Sequence, residues 1–411
     1  MSASNAKDGQ GRNPAGRAVL GVLVVLLLAF LIGVFLFKAD AKSFPQQLVG
    51  GILLGSIYAL IALGYTMVYG VLRLINFAHG EVFMLGAYTS LLTSWVLGFG
   101  QGSQKEATSP ITLAIMLLVS MAVCGIVGVL IERFAYRPMR NQPRIASLIT
   151  AIGVSLLLQY GGALVLPVSP PPSVNEKVNP YREVLKIPVV PQDKALLEQF
   201  NSAEQEVKRI QTEMREAQDR KDPSADGFIR LKSEAETKLR DVQGKLDQTG
   251  LVLRIPVGQL IMFGTTIVLM LLLRHLVLFT KTGRAMRAVS HDFDSAGLMG
   301  INVGQIVTLT FLVGSALAGA GAMMNATFIG TALTTQFGVL PGVKAFVAAV
   351  LGGIGNIPGA VLGGLLMGVA ENVVTWYGKG QYRDAIAFVI LIVVLLFKPG
   401  GLLGSAKVEK V

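Results

Sequence analysis

The chain reads as all-α: a polytopic transmembrane helix bundle with discontinuous helices, plus an external antiparallel helical-hairpin insert of coiled-coil type. Three observations predict this. Of its 411 residues, 52% are hydrophobic and 15% charged, whereas a soluble domain carries about 25% charged residues. Apolar runs of roughly 20 residues recur along the chain, the length that crosses a bilayer core. One segment, 167–255, breaks that pattern with heptad-spaced, charged sequence. The 47 glycines agree with helices packed closely inside a membrane.

Apolar spans are expected at 19–37, 48–70, 77–98, 111–131, 145–166, 256–279, 301–325, 343–374 and 383–398. In the first, Arg12 and Arg17 precede the run, and Ala39-Asp40-Ala41 resembles a small-x-small cleavage site. The run is long for a signal peptide, so we read residues 1–45 as a cytoplasmic tail and a retained extra anchor, with a signal peptide as the alternative. Basic residues gather in short connections: Arg133, Arg137, Arg140 and Arg144; then Lys281, Arg284 and Arg287; then Lys398, Lys407 and Lys410. All three clusters fall on the cytoplasmic side if the N-terminus is inside. That parity holds only if 343–374 enters and returns. Gly355-Asn356-Ile357-Pro358-Gly359 breaks its middle, so a discontinuous or hairpin pair is expected there.

The net charge of +11 could point to nucleic acid, but the positive-inside bias explains it. The insert carries 11 Lys/Arg against 13 Asp/Glu over 192–249, which leaves 25 against 12 elsewhere. It opens with Pro167, Pro170, Pro171 and Pro172, an extended spacer. Leu196, Phe200, Ala203, Val207, Ile210, Met214 and Ala217 then form a heptad seam. The turn-rich Lys221-to-Gly227 stops that helix, and Phe228, Leu231, Ala235, Leu239, Val242 and Leu246 mark a second one folding back on the first. The topology puts this hairpin outside, either as a docking arm or as a self-packed decoration.

Residues 75–81, Ile-Asn-Phe-Ala-His-Gly-Glu, are the costly feature. Ionisable groups at membrane depth usually face a bundle interior or an aqueous path. Asn76, His79 and Glu81 are therefore the candidate translocation-path residues, with helix packing as the competing role; Lys344 and Glu371 are secondary candidates nearer the outer surface. No catalytic constellation or phosphate-binding loop is present in the sequence. The three histidines, His79, His275 and His291, lack partners at ligand spacing, so neither a metal nor another cofactor is expected. The lone Cys124 can form no intramolecular disulfide. Gly355, Gly359 and Gly363 are spaced for helix packing, as are Gly51 and Gly55 with Ala59. In the loop 280–300, Met286, Val289, Phe293 and Ala296 share one face of a short amphipathic helix, decorated by Arg284, Arg287 and Asp292 and capped by Gly300. That helix suits either a lipid interface or a cleft in a cytoplasmic partner.

The stretch from Gly51 to Gly86, with Ala59-to-Gly70 and Asn76-Phe77-Ala78-His79-Gly80-Glu81, resembles the inner-membrane permease of branched-chain amino-acid ABC importers. Glu132-to-Pro138, the loop Gly283-to-Asn302, Lys344-Ala345-Phe346 through Gly364, and the ending Lys398-to-Gly404 resemble the same family. The likeness covers roughly 46–166 and 256–405. It implies a bacterial inner-membrane subunit paired with a second, related permease, two cytoplasmic ATPase subunits and a periplasmic substrate-binding protein. It also makes 280–300, with Gly283, Arg284, Arg287, Asp292, Ala296 and Gly300, the ATPase-coupling loop. The first span and the insert depart from the family.

The expected organisation is thus an anchor (1–45), a first permease part (46–166), a periplasmic insert (167–255), a second permease part (256–405) and a cytoplasmic tail (406–411). The expected role is a permease subunit, not an enzyme, with ATP hydrolysis on other chains. The rivals are a urea or short-chain amide importer, a stand-alone channel or secondary transporter, and a membrane scaffold whose outer hairpin does the work.

Overall fold

A computed structural model describes residues 41–98, 109–139, 142–167, 181, 183–190, 193–219, 225–249, 251–329 and 333–404. The expected first span, Arg140, the prolines at 170–172, Lys221 to Ser224, Lys407 and Lys410 lie outside the described residues. The chain divides into two compact units, residues 184–256 and the remainder.

The larger unit is helical. In order it comprises α1 (Phe44–Leu72), α2 (His79–Val96), α3 (Pro110–Ile131) and α4 (Arg144–Val165). After the smaller unit come α7 (Val257–Phe279), α8 (Lys281–His291), α9 (Phe293–Leu298), α10 (Val303–Met324), α11 (Val339–Gly352), α12 (Ile357–Trp376) and α13 (Ala385–Phe397). Among the described residues, six helices are long and apolar enough to cross a membrane: Phe44–Leu72, Pro110–Met139, Ile145–Val165, Val257–Phe279, Val303–Ile329 and Ile357–Trp376; Val339–Gly352 and Ala385–Phe397 are shorter and also apolar. α1 and α10 form the buried centre, packing on each other and on α12, α11, α2 and α3. The outer helices turn large apolar side chains outward, among them Leu157 and Leu164 of α4, Leu272 of α7 and Leu396 of α13. That surface suits hydrocarbon, where a helix already bonds its own backbone groups.

Small residues let the central helices touch. A Cβ added at Gly51 would lie 2.6 Å from Val369 Cα, and one at Gly55 would lie 2.6 Å from the Gly364 carbonyl oxygen. Contacts this close replace the hydrophobic drive that lipid cannot supply. α12 therefore runs antiparallel along α1, ending where Trp376 Nε1 donates to Ser43 Oγ at 2.9 Å.

The predicted break in 343–374 falls at 353–356. Gly353 and Gly355 adopt φ of +104° and +91°, a region that disfavours any side chain. Asn356 Oδ1 accepts from Gly359 N at 3.0 Å and starts α12, with Pro358 in its first turn. α11 and α12 fold back on each other, with Gly363 against Ala348 and Gly359 against Gly352. Gly355 itself sits in the turn, not on a packed helix face.

The smaller unit holds β1 (Val184–Val190), α5 (Lys194–Asp219), α6 (Ala225–Thr249) and β2 (Leu251–Pro256). The two antiparallel strands, paired from Val184↔Pro256 to Val190↔Leu251, were not expected from the sequence, because Pro188 and the brevity of each run hide the pattern. α5 and α6 pack antiparallel through Val207, Ile210 and Ala235, with Phe228 and Leu239 alongside. Of the expected seam, Leu231 is a correction: it is 50% exposed. The inward position after Phe228 is instead Lys232, whose stem is partly covered while its ammonium pairs with Glu236.

Candidate functional site

α1 ends at Leu72, where Arg73 takes a left-handed φ of 52° and its N–H bonds the Tyr69 carbonyl. The chain then turns back into the bundle instead of leaving it. Residues 74–78 climb beside α1, so His79 arrives at Gly64, eight residues (about 12 Å) back from the helix end. Asn76 pins this re-entrant segment: its Oδ1 accepts from Ala78 N and from the Tyr136 hydroxyl, both at 3.1 Å. Tyr136 comes from a π-helical turn, Glu132–Tyr136, that ends α3. Such turns re-aim side chains where a regular helix would not reach. In the same turn Glu132, also buried, accepts from Thr308 Oγ1 of α10 at 2.8 Å.

α2 starts within the bundle, and Asn76, His79 and Glu81 are all buried. The structure brings these three sequence-predicted residues to one place. The His79 imidazole fills the notch left by Gly64; an alanine Cβ at Gly64 would lie 2.6 Å from both His79 Cε1 and the Gly314 carbonyl oxygen. The Tyr65 ring covers the imidazole at 4.5 Å between centroids, and Phe346 of α11 packs on Tyr65 at 5.9 Å. Asn76 Nδ2 and Glu81 Oε2 have no hydrogen-bond partner among the described residues. Glu81 occupies the first turn of α2, where a carboxylate complements the helix dipole. The start of α11 meets the start of α2: Gly338 and Gly342 pack directly on Gly80, and Phe83 stacks on Phe337 at 5.6 Å. Two interrupted helices therefore begin at one buried point, around unbonded polar groups.

Lys344 and Glu371 lie in a separate ion cluster at the end of the bundle where α1 begins. Lys344 Nζ stands 2.9 Å from Glu371 Oε1 and 2.6 Å from Asp384 Oδ1. Arg383 Nε donates to Glu371 Oε2 at 2.7 Å, and the Tyr58 hydroxyl donates to the same oxygen at 3.1 Å. Two cations and two anions balance, which is how charges survive burial. This cluster ties α11, α12, α1 and the entry to α13 together.

At the opposite end lies the 280–300 loop. Thr280 Oγ1 caps α8 through Gly283 N at 3.0 Å, and Gly283, Met286 and Val289 are buried beneath it. The single amphipathic helix expected over 286–296 is corrected to two. Asp292 is extended, and its carboxylate accepts from Asp294 N at 2.9 Å and Ser295 N at 3.0 Å. A second helix, α9, starts there because an N-cap acid stabilises a new start better than a helix interior. The Ser295 backbone N–H, with its hydroxyl, holds the Asp292 carboxyl below the usual carboxylate range. Ala296 is buried, and Gly300, at φ +83°, closes α9 with Ile301 N bonding the Ala296 carbonyl. Arg284 is exposed, whereas the Arg287 guanidinium turns back to the Val277 carbonyl at the end of α7. Leu298 and Met299 are 89% and 83% exposed, and the sequence reading had missed them.

A cavity of about 600 Å³ lies between this loop and the helix break, reached by α1, α7, α8, the 354–358 turn and Leu403-Gly404. Asn76, His79 and Glu81 do not line it. Arg274 and Thr66 do; Gly64, Tyr65, Thr66 and Tyr136 lie in the family-like motif stretches but nothing in the sequence marks them as site residues, and Arg274 lies in none of those stretches.

A membrane-embedded bundle with a re-entrant polar segment, a broken helix pair and a structured loop beside the break belongs to the class of membrane transport subunits. Sequence comparison makes the assignment specific. The chain belongs to the branched-chain amino acid transport system permease component family, whose model matches residues 47–184 and 199–395. It is similar to the high-affinity branched-chain amino acid transport system permease protein BraD of Pseudomonas aeruginosa, with 37% identity over 372 residues, 90% of this chain and 99% of that protein. The LivH permease proteins of the corresponding systems in Salmonella typhimurium and Escherichia coli K12 are 35% and 34% identical over 368 residues, 90% of this chain and 98% of each relative. No solved structure matches the chain significantly.

Proposed function

We propose that this chain is the permease subunit of an ATP-binding-cassette importer that carries branched-chain amino acids across the bacterial inner membrane. The observation that carries the reading is the near full-length match to relatives that bear that name. None of those three is named for urea or an amide, which disfavours the amide reading. A second related permease, two cytoplasmic ATPase subunits and a periplasmic substrate-binding protein complete the transporter. The 280–300 loop lies on the cytoplasmic side, and the insert at 184–256 lies on the periplasmic side as a helical hairpin of coiled-coil type. The loop is the ATPase contact: α9 and the exposed Leu298-Met299 pair seat in an ATPase cleft, while Met286 and Val289 fix α8 to the bundle.

The buried point where α2 and α11 begin is the moving part of an alternating-access path, with Asn76 and Tyr136 holding the re-entrant segment and His79 and Glu81 beside the path. What supports this is the unbonded polar groups there and the interruption of both helices, a feature of substrate sites in membrane transporters. A stand-alone channel would have no need of a capped, structured loop with an exposed apolar tip. Uptake of radiolabelled leucine and urea by a deletion strain complemented with this chain tests the cargo. Restored leucine uptake is expected, and restoration of urea uptake alone would overturn the assignment.

A further inference from the structure

The cavity beside the 280–300 loop has the chemistry of a ligand site. Its volume of about 600 Å³ falls within the usual range for small-molecule pockets. Met67, Val71 and Ile357 supply an apolar wall, and no carboxylate lines it among the described residues. Arg274 lines it and makes no hydrogen bond or ion pair among the described residues. Arg287 also lines it, with part of its fork engaged by Val277. Thr66 is the telling residue. Threonines 89, 93, 150, 266, 310 and 375 each donate to the carbonyl four residues back in their helix. The Thr66 hydroxyl, as buried as those of Thr266 and Thr310, has no partner among the described residues. A buried hydroxyl left without a hydrogen bond is costly, and Thr66 lines the same cavity as Arg274 and Arg287, whose guanidinium groups suit carboxylates.

We infer that this cavity binds a free aliphatic amino acid from the cytoplasmic side, its carboxylate on Arg274 and its side chain against Met67, Val71 and Ile357. The inference rests on the reading of the chain as a branched-chain amino-acid permease. Met286, Arg287 and Ser290 of α8 form one wall, and the α11–α12 turn forms the opposite one. A bound amino acid therefore wedges the coupling loop against the helix break, and accumulated product slows its own import.

The test is binding of radiolabelled leucine to the complete purified complex in phosphatidylcholine nanodiscs, without the external binding protein. Wild type is expected to bind, and leucinamide, which lacks the carboxylate, is expected not to compete. Arg274→Met should weaken binding about tenfold or more, as expected for a lost charged hydrogen bond, and Thr66→Val about threefold. In vesicles loaded with leucine on the cytoplasmic side, Arg274→Met should relieve the inhibition of uptake. Equal leucine binding by both variants, or none by wild type, would overturn the inference. So would displacement of leucine by added phosphatidylglycerol, which would make the cavity a lipid-headgroup site. If Arg274→Met fails to assemble by size exclusion, Thr66→Val decides alone. Leucine uptake by wild type, measured in parallel, separates the two readings. Uptake without binding to the cavity removes this inference only; absence of uptake removes the functional assignment as well.

Discussion

His79 sits in a notch made by Gly64, and that fit keeps a polar ring at the centre of an apolar bundle. Gly64→Ala would drive a methyl into the Gly314 carbonyl and the imidazole. Overpacking of this kind costs about 1–3 kcal/mol, so a lowered unfolding midpoint of the purified protein and loss of uptake are expected. Gly153→Ala, with open space around it, should change neither. His79→Ala and Glu81→Gln test the path itself: each should reduce leucine uptake at unchanged membrane abundance, and unchanged uptake in both would remove them from the mechanism. The sequence exposed these residues through their cost at membrane depth. It could not expose Tyr136, sixty positions from the Asn76 it bonds, because its π-turn leaves no periodic signature. Arg274 reads as an ordinary helix-end cation until the fold places it on a cavity.

Among the described residues, apolar runs of about 20 residues matched five of the six helices long and apolar enough to cross a membrane, and the glycine-proline break announced the α11–α12 hairpin that holds the sixth; α2, expected as a span over 77–98, is not among the six. Two features escaped that reasoning. The re-entrant start of α2 looks in sequence like the start of an ordinary span, since only the contact between His79 and Gly64 shows how far the chain has climbed back. The split of the 280–300 loop depends on Asp292 adopting an extended backbone and capping α9, a local choice that competes with one continuous amphipathic helix. The result is an exposed apolar tip at Leu298 and Met299, and such a tip is expected to be covered by a partner. Leu298→Asp combined with Met299→Asp should cut ATPase recovery with the purified chain by about tenfold or more while leaving membrane insertion intact. Undiminished ATPase recovery would place the docking surface elsewhere on the loop.

Across the whole molecule, the bundle and the insert are separate compact units, and they answer to different physics. The bundle depends on glycine contacts between α1, α10, α11 and α12. The insert depends on a small apolar seam flanked by surface ion pairs such as Arg230–Glu234 at 2.9 Å, which individually contribute about 1 kcal/mol or less. Val190 and Leu251 are paired across the ribbon, so an Asn-Gly turn can join them in place of residues 191–250. That deletion should leave leucine uptake intact at saturating binding protein; its loss would show that the hairpin is needed for translocation. The central claim is that this bundle is driven by ATPase subunits on other chains. Affinity purification of the tagged chain from its native membrane, followed by reconstitution with the binding protein and leucine, tests it most directly. Co-purifying ATPase subunits and leucine uptake that requires ATP are the expected result. Leucine transport by a preparation free of any ATPase, indifferent to ATP, would contradict it.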